Sequence, residues 1–132
     1  MVMRTTLDNG LGLIRGDVFS LRRTITNLPA GVTVTKAWLM VKTAYSVADG
    51  SATITKSITS SNVAGTGQIE ATGSSTSRTA VIRFDFTNTN TTAVTAAVVY
   101  VYDIQILLSN ADLITIETGT ATWASEVVQA TA

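Results

Sequence analysis

The side chains able to do bond chemistry in this chain carry oxygen or cationic nitrogen, because it holds no His and no Cys. Asp8, Asp17, Asp49, Asp103 and Asp112 are the first to consider. Two carboxylates facing each other across a groove act as acid and base in glycoside hydrolysis, and several together hold calcium, which takes only oxygen ligands. Against both readings, all but Asp103 fall at expected strand ends or turns, where Asp starts turns and blunts sheet edges. No spacing resembles an EF-hand loop. Ser60, Ser61, Ser74, Ser75 and Ser77 supply hydroxyls, but none sits in a Gly-x-Ser-x-Gly setting and no imidazole exists to activate one. Without Cys there is no thiolate nucleophile, no Cys-type zinc site and no disulfide. The expectation is a chain that is not an enzyme, with no catalytic residue, no cofactor and no metal.

Three short patterns suggest binding. Arg15-Gly16-Asp17 spells a cell-adhesion tripeptide. It directly precedes an expected strand, so Gly16 reads as a bend and Asp17 as a strand start rather than a loop tip. Asn90-Thr91-Thr92 fits the glycosylation sequon, which a Thr-rich chain produces by chance. Tyr45, Tyr100, Tyr102, Trp38 and Trp123 could line a sugar-stacking face. Tyr100 and Tyr102, however, share parity with Val98 and Ile104 in one apolar row, which favours packing. No glycine-rich phosphate loop is present.

The elements that position these groups follow from length and pattern. A chain of 132 residues is one domain's worth, so residues 1–132 are expected to form one unit. Lys plus Arg equals Asp plus Glu at 9 each, which leaves no basic field for nucleic acid or anionic lipid. The longest apolar stretch, residues 93–102, is half of the roughly 20 residues that a spanning helix needs. The start lacks the apolar core of a signal peptide. A chain made and kept in the cytoplasm, with no membrane partner, is the expectation. Thr is the commonest residue, followed by Ala and Val, and Thr and Val favour strands.

Period-two patterns recur throughout. Ala80, Ile82, Phe84 and Phe86 share a face in residues 79–86, with Arg83 and Asp85 toward water. In residues 113–118, Ile114 and Ile116 read as inward, Thr115 and Glu117 as outward. Phe19, Leu21 and Ile25 share a face with Arg23, and Ile54 and Ile58 share one with Lys56. Residues 34–45 and 97–108 are apolar on both faces, so these strands are central or covered by a partner chain. Trp38 fits a central core position. Turns are expected at Asn9-Gly10, Pro29-Ala30-Gly31, Asp49-Gly50 and residues 109–112, with a polar loop at 65–77 that holds one short strand near Gln68–Ala71, a second polar loop at 87–92 and a strand closed by Gly119. The fold class predicted is all-β: an antiparallel, immunoglobulin-like β-sandwich of about eight or nine strands with no substantial helix. A small barrel is the alternative.

Two stretches carry a resemblance. One runs from Gly16-Asp17 through Leu28-Pro29-Ala30-Gly31 to Ala37-Trp38-Leu39-Met40-Val41-Lys42. The other runs from Tyr102-Asp103-Ile104-Gln105-Ile106 through Ile114-Thr115 to Gly119. Together they resemble the small β-sandwich proteins of tailed-bacteriophage virions, across about two-thirds of the chain. Residues 46–78 carry no part of the likeness. The resemblance implies a capsid cement (decoration) protein or a baseplate or tail adaptor, located in a virion assembled in the host cytoplasm. It implies other virion proteins as partners, the major capsid protein first, and a homo-oligomer. A chain of this size suits cement better than an adaptor, which would continue into a fibre segment. Arg4, Arg22, Arg23, Lys56, Val99, Val101 and Leu107 are the candidate protein-interface residues. Arg23 and Lys56 break apolar rows, where an unpaired buried charge is costly; they read equally as inward charges that guard edge strands and as charges paired at a subunit contact, and Val99, Val101 and Leu107 form the second apolar face of a strand. A carbohydrate-binding module and a hydrolase built on paired carboxylates are the rival readings.

Overall fold

The structure is a computed structural model that describes residues 3–6, 13–74 and 76–125. It is all-β in character, with two sheets. In chain order the strands are β1 (Met3–Thr6), β2 (Leu13–Ile14), β3 (Phe19–Ile25), β4 (Val34–Lys42), β5 (Ile54–Ile58), β6 (Gly67–Ala71), β7 (Ala80–Phe86), β8 (Val99–Leu108) and β9 (Leu113–Ala124). The larger sheet runs β1-β9-β8-β4-β5, with β2 also on β9; the smaller runs β3-β7-β6. Pairing is antiparallel except where β1 and β2 meet β9, both in parallel. No hairpin forces those two pairs, which join opposite ends of the chain.

Alternation builds the core. Ala80, Ile82, Phe84 and Phe86 of β7 are buried, as are Ala37, Leu39 and Val41 of β4 and Tyr100, Tyr102, Ile104, Ile106 and Leu108 of β8. Each such large side chain contributes about 1.5–3 kcal/mol on leaving water. Phe19 stacks on Phe86 at 4.4 Å, and Tyr100 meets Trp123 edge-on at 5.9 Å. One side of the two-sheet stack is closed by backbone: Ile69 N–H of β6 donates to the carbonyl of Thr59, just past β5, at 2.7 Å. On the opposite side, where β3 lies over β9, a cleft opens between the sheets.

Several expectations are corrected. Trp38 is not in the core; it lies on the outer face of β4, half-buried, and the fully buried tryptophan is Trp123. Glu117 points inward and is completely buried. Both shifts in β9 have one cause. Gln105 pairs with Thr115 while Ile104 pairs with Glu117, so β9 carries an extra residue there. A bulge of this kind reverses the inward parity of everything after it. Glu117, Ala121 and Trp123 therefore turn in, and Thr118, Thr120 and Thr122 turn out. Gly119 does not close the strand, which continues to Ala124.

Asp49-Gly50 forms no two-residue hairpin turn. A 3-10 turn, Asp49–Ser51, lies in a longer connection pinned by Lys42 Nζ to Val47 O at 2.8 Å and Asp49 Oδ1 at 2.6 Å. Residues 87–92 are not a plain loop. Thr87 and Asn90 exchange side-chain and backbone bonds in a capping box that starts a short helix, α1 (Asn88–Thr92). The turns at 29–31 and 109–112 form as expected, with Val32 N–H on Pro29 O at 3.0 Å and Leu108 N–H on Asp112 O at 2.9 Å. Asn9-Gly10 lies outside the described residues.

Candidate functional site

The seven predicted interface residues separate onto distinct surfaces. Arg4 sits in edge strand β1, opposite Thr118. Arg22 is on the outer face of the smaller sheet, where it holds Glu70 in two bonds of 2.5 and 3.0 Å. Arg83 joins the same carboxylate at 2.7 Å, and also contacts Asp85 and Asn62. This ladder crosses all three strands of the sheet. The Arg22 bond, reinforced by Arg83, lowers the Glu70 pKa to about 2. Arg83 and Asp85 were readable as outward from alternation; the short strand near Gln68–Ala71 was also expected and forms as β6, but a single carboxylate in so short a strand gave no sign of its two arginine partners.

Arg23 and Lys56 sit on the edge strands β3 and β5 with their side chains turned between the sheets. Arg23 grips Glu117 in a bidentate pair, Nε to Oε1 at 2.7 Å and Nη2 to Oε2 at 3.1 Å. Tyr102 O–H donates to the same Oε2. Both oxygens of the buried carboxylate therefore already hold donors, as burying a charge demands. The Glu117 bond raises the Arg23 pKa, while burial and then Glu117 push the Tyr102 hydroxyl up. Lys56 Nζ donates to Gly65 O at 2.7 Å and lies 5.9 Å from the centre of the Phe86 ring. Burial lowers its pKa. Arg23 and Glu117 end a cleft of about 450 Å³ between β3 and the start of β9, lined largely by Ile25, Leu28, Ile106, Leu108 and Ile114.

Val99, Val101 and Leu107 share the outer face of β8 with Asp103 and Gln105. Beside them on β4 stand Lys36, Trp38, Met40 and Lys42, in register pairs Lys36–Leu107, Trp38–Gln105, Met40–Asp103 and Lys42–Val101. This is the second apolar face expected of the two central strands. Val99 is 59% exposed; Trp38, Met40, Val101 and Leu107 are half-buried. Tyr45 reaches across one end and donates to Gly119 O at 3.4 Å. No described strand covers the rest. Alternation placed Trp38 and Met40 together on this second face; what it did not give was that the face is left uncovered, since Trp38 was also read as core.

The other motifs are absorbed by structure. Arg15 donates to the carbonyls of Val94 at 2.8 Å and Thr92 at 2.9 Å, and Gly16, at φ 90°, makes the bend. Asn90 Oδ1 caps α1, and Thr91 is fully buried with its hydroxyl on Asp17 O. Among the described residues, no group of three or more Asp or Glu side chains converges on a point that could hold a metal. Comparisons of the chain with protein-family models, with curated proteins and with solved structures find no match.

Proposed function

We propose that this chain is a structural protein of a bacteriophage virion, a capsid cement protein with an immunoglobulin-like sandwich fold. It stabilises the head by bridging capsid subunits. The observation that carries this reading is the outer face of β4 and β8. Two central strands present Trp38, Met40, Val101 and Leu107 outward, and no described strand lies over them. A protein that acts by adhesion needs such a patch, and a stable monomer has little other use for one. Arg23 and Lys56 support the reading in a narrower way. Their intramolecular partners leave adhesion to the outer face rather than to the cations between the sheets.

The mechanism is mass action. A ligand that binds only the assembled shell lowers the free energy of that state, by about 2.7 kcal/mol at a hundredfold excess over Kd. Phage heads stripped of the protein, and the same heads with it added back, are heated while DNA release is followed with an intercalating dye. Release at a higher temperature in the decorated heads is expected; equal release temperatures overturn the cement reading. Antibody labelling at the tail rather than the head would replace cement by the baseplate or tail adaptor reading.

A further inference from the structure

The same outer face carries a charge pattern that selects its partner. Lys36 stands on β4 with its ammonium 5.2 Å from the centre of the Trp38 ring. Asp103 stands on β8, half-buried, opposite Met40. Neither makes a salt bridge or a side-chain hydrogen bond among the described residues; Lys42, whose ammonium is bound by Asp49, lines the same shallow hollow as Asp103 and acts on it through space without bonding it. Lys36 and Asp103 lie two register steps to either side of the Trp38–Gln105 pair, too far apart along the strands to meet each other within one chain: four residues span about 13 Å.

We propose that this face pairs with the same face of a second copy, about a twofold axis that crosses the strands at Trp38 and Gln105. The axis sets the Lys36–Leu107 row of one copy over the Met40–Asp103 row of the other. Each Lys36 then reaches the partner's Asp103, giving two equivalent ion pairs on either side of a central Trp38 contact. A charge pattern that complements itself under a twofold operation is what an isologous interface requires. An aromatic at its centre, ringed by polar groups, is the usual arrangement of a contact that holds. The four strands β5, β4, β8 and β9 offer a face about 20 Å across and about 25 Å along. That is below the roughly 800 Å² per partner of a standard interface, so the free dimer is weak and gains strength beside a shell. The inference rests on the reading of this face as a contact surface and assigns that contact to a second copy, so that the paired copies meet capsid subunits through the surfaces left outside it.

Sedimentation velocity on the full chain, from about 1 to about 500 μM, tests it. A concentration-dependent monomer–dimer equilibrium is expected. Lys36→Asp alone and Asp103→Lys alone each place like charges opposite one another and weaken self-association at least about tenfold. An equimolar mixture of the two variants restores opposite charges at both positions and returns association to near the unaltered protein. That recovery also shows that both variants are folded. A monomer at every concentration overturns the proposal. So does a dimer that neither reversal weakens, or one that the mixture does not recover. A monomer that still raises the heat resistance of heads removes the self-contact alone; a dimer without effect on heads removes the cement reading alone.

Discussion

Glu117 is held on every side. Its carboxylate is fully buried, and its three donors come from both sheets: two from Arg23 on β3 and one from Tyr102 on β8. A buried ion pair is weak evidence of stability, because desolvation offsets much of the attraction, but breaking one strands the surviving charge. Glu117→Ala is therefore expected to destabilise the fold by about 3–5 kcal/mol in urea denaturation. The triple replacement Arg23→Met, Glu117→Leu, Tyr102→Phe removes all the polar groups together and is expected to lie within about 1–2 kcal/mol of the original. If the triple variant were as unstable as the single one, the cluster would contribute packing rather than charge satisfaction. A second residue with no latitude is Gly67. At φ 129° a Cβ would stand 2.0 Å from the Arg83 carbonyl oxygen. Gly67→Ala is expected to cost about 3 kcal/mol or more, read as a lower urea midpoint.

At the scale of elements, the ladder across the smaller sheet makes an acid-sensitive seam. Glu70 is held between Arg22 and Arg83, and its pKa falls from 4.5 to about 2, chiefly through the Arg22 bond. A carboxylate with a depressed folded pKa binds protons less readily than the unfolded chain does. Its contribution is present above about pH 4.5 and is lost as pH falls toward 2. The melting temperature is expected to drop across that window, less steeply in Glu70→Gln, and high salt should shrink the difference because the ladder is near solvent. A profile identical in the variant would remove Glu70 as its cause.

This seam also shows what the sequence could disclose. The rows of β3, β4, β5, β7 and β8 were legible, since strict alternation decides which side chains face in. The turn at Pro29-Ala30-Gly31 and the 109–112 hairpin were legible from turn chemistry. The second half of β9 was not. One inserted residue at Thr115–Ile116 inverts parity from Glu117 onward, and nothing in the residue types marks the insertion. Reading Leu113–Thr118 as an unbroken strand therefore sent Glu117 to solvent. Trp38 was misplaced for a different reason: size suggested a core, whereas register puts it on the face opposite Ala37 and Leu39.

At the scale of the whole molecule, two sheets that end in edge strands raise the question of what keeps copies from pairing edge to edge. The edge strands include β5 in the larger sheet and β3 in the smaller, and each carries one inward cation, Lys56 and Arg23. A charge turned toward the core at an edge penalises any strand that would dock there and cover it. The cost falls on the monomer. Burial lowers the Lys56 pKa, partly offset by Asp85, so the folded state disfavours its charged form. Below the folded pKa both states are charged and the penalty is complete; it is relieved as pH rises from there toward 10.5, the ordinary value. Lys56→Met fills the same space beside Phe86 without that penalty, and the half-exposed Gly65 carbonyl can turn to water. The variant is expected to be more stable by up to about 1 kcal/mol at neutral pH, with the advantage shrinking in alkali. It is also expected to scatter more light on prolonged warming below its melting temperature, as β5 loses its guard. A variant that melts later and stays as clear as the original would mean that Lys56 is there for Gly65 and the loop it anchors, and that the edge is protected by its shortness alone.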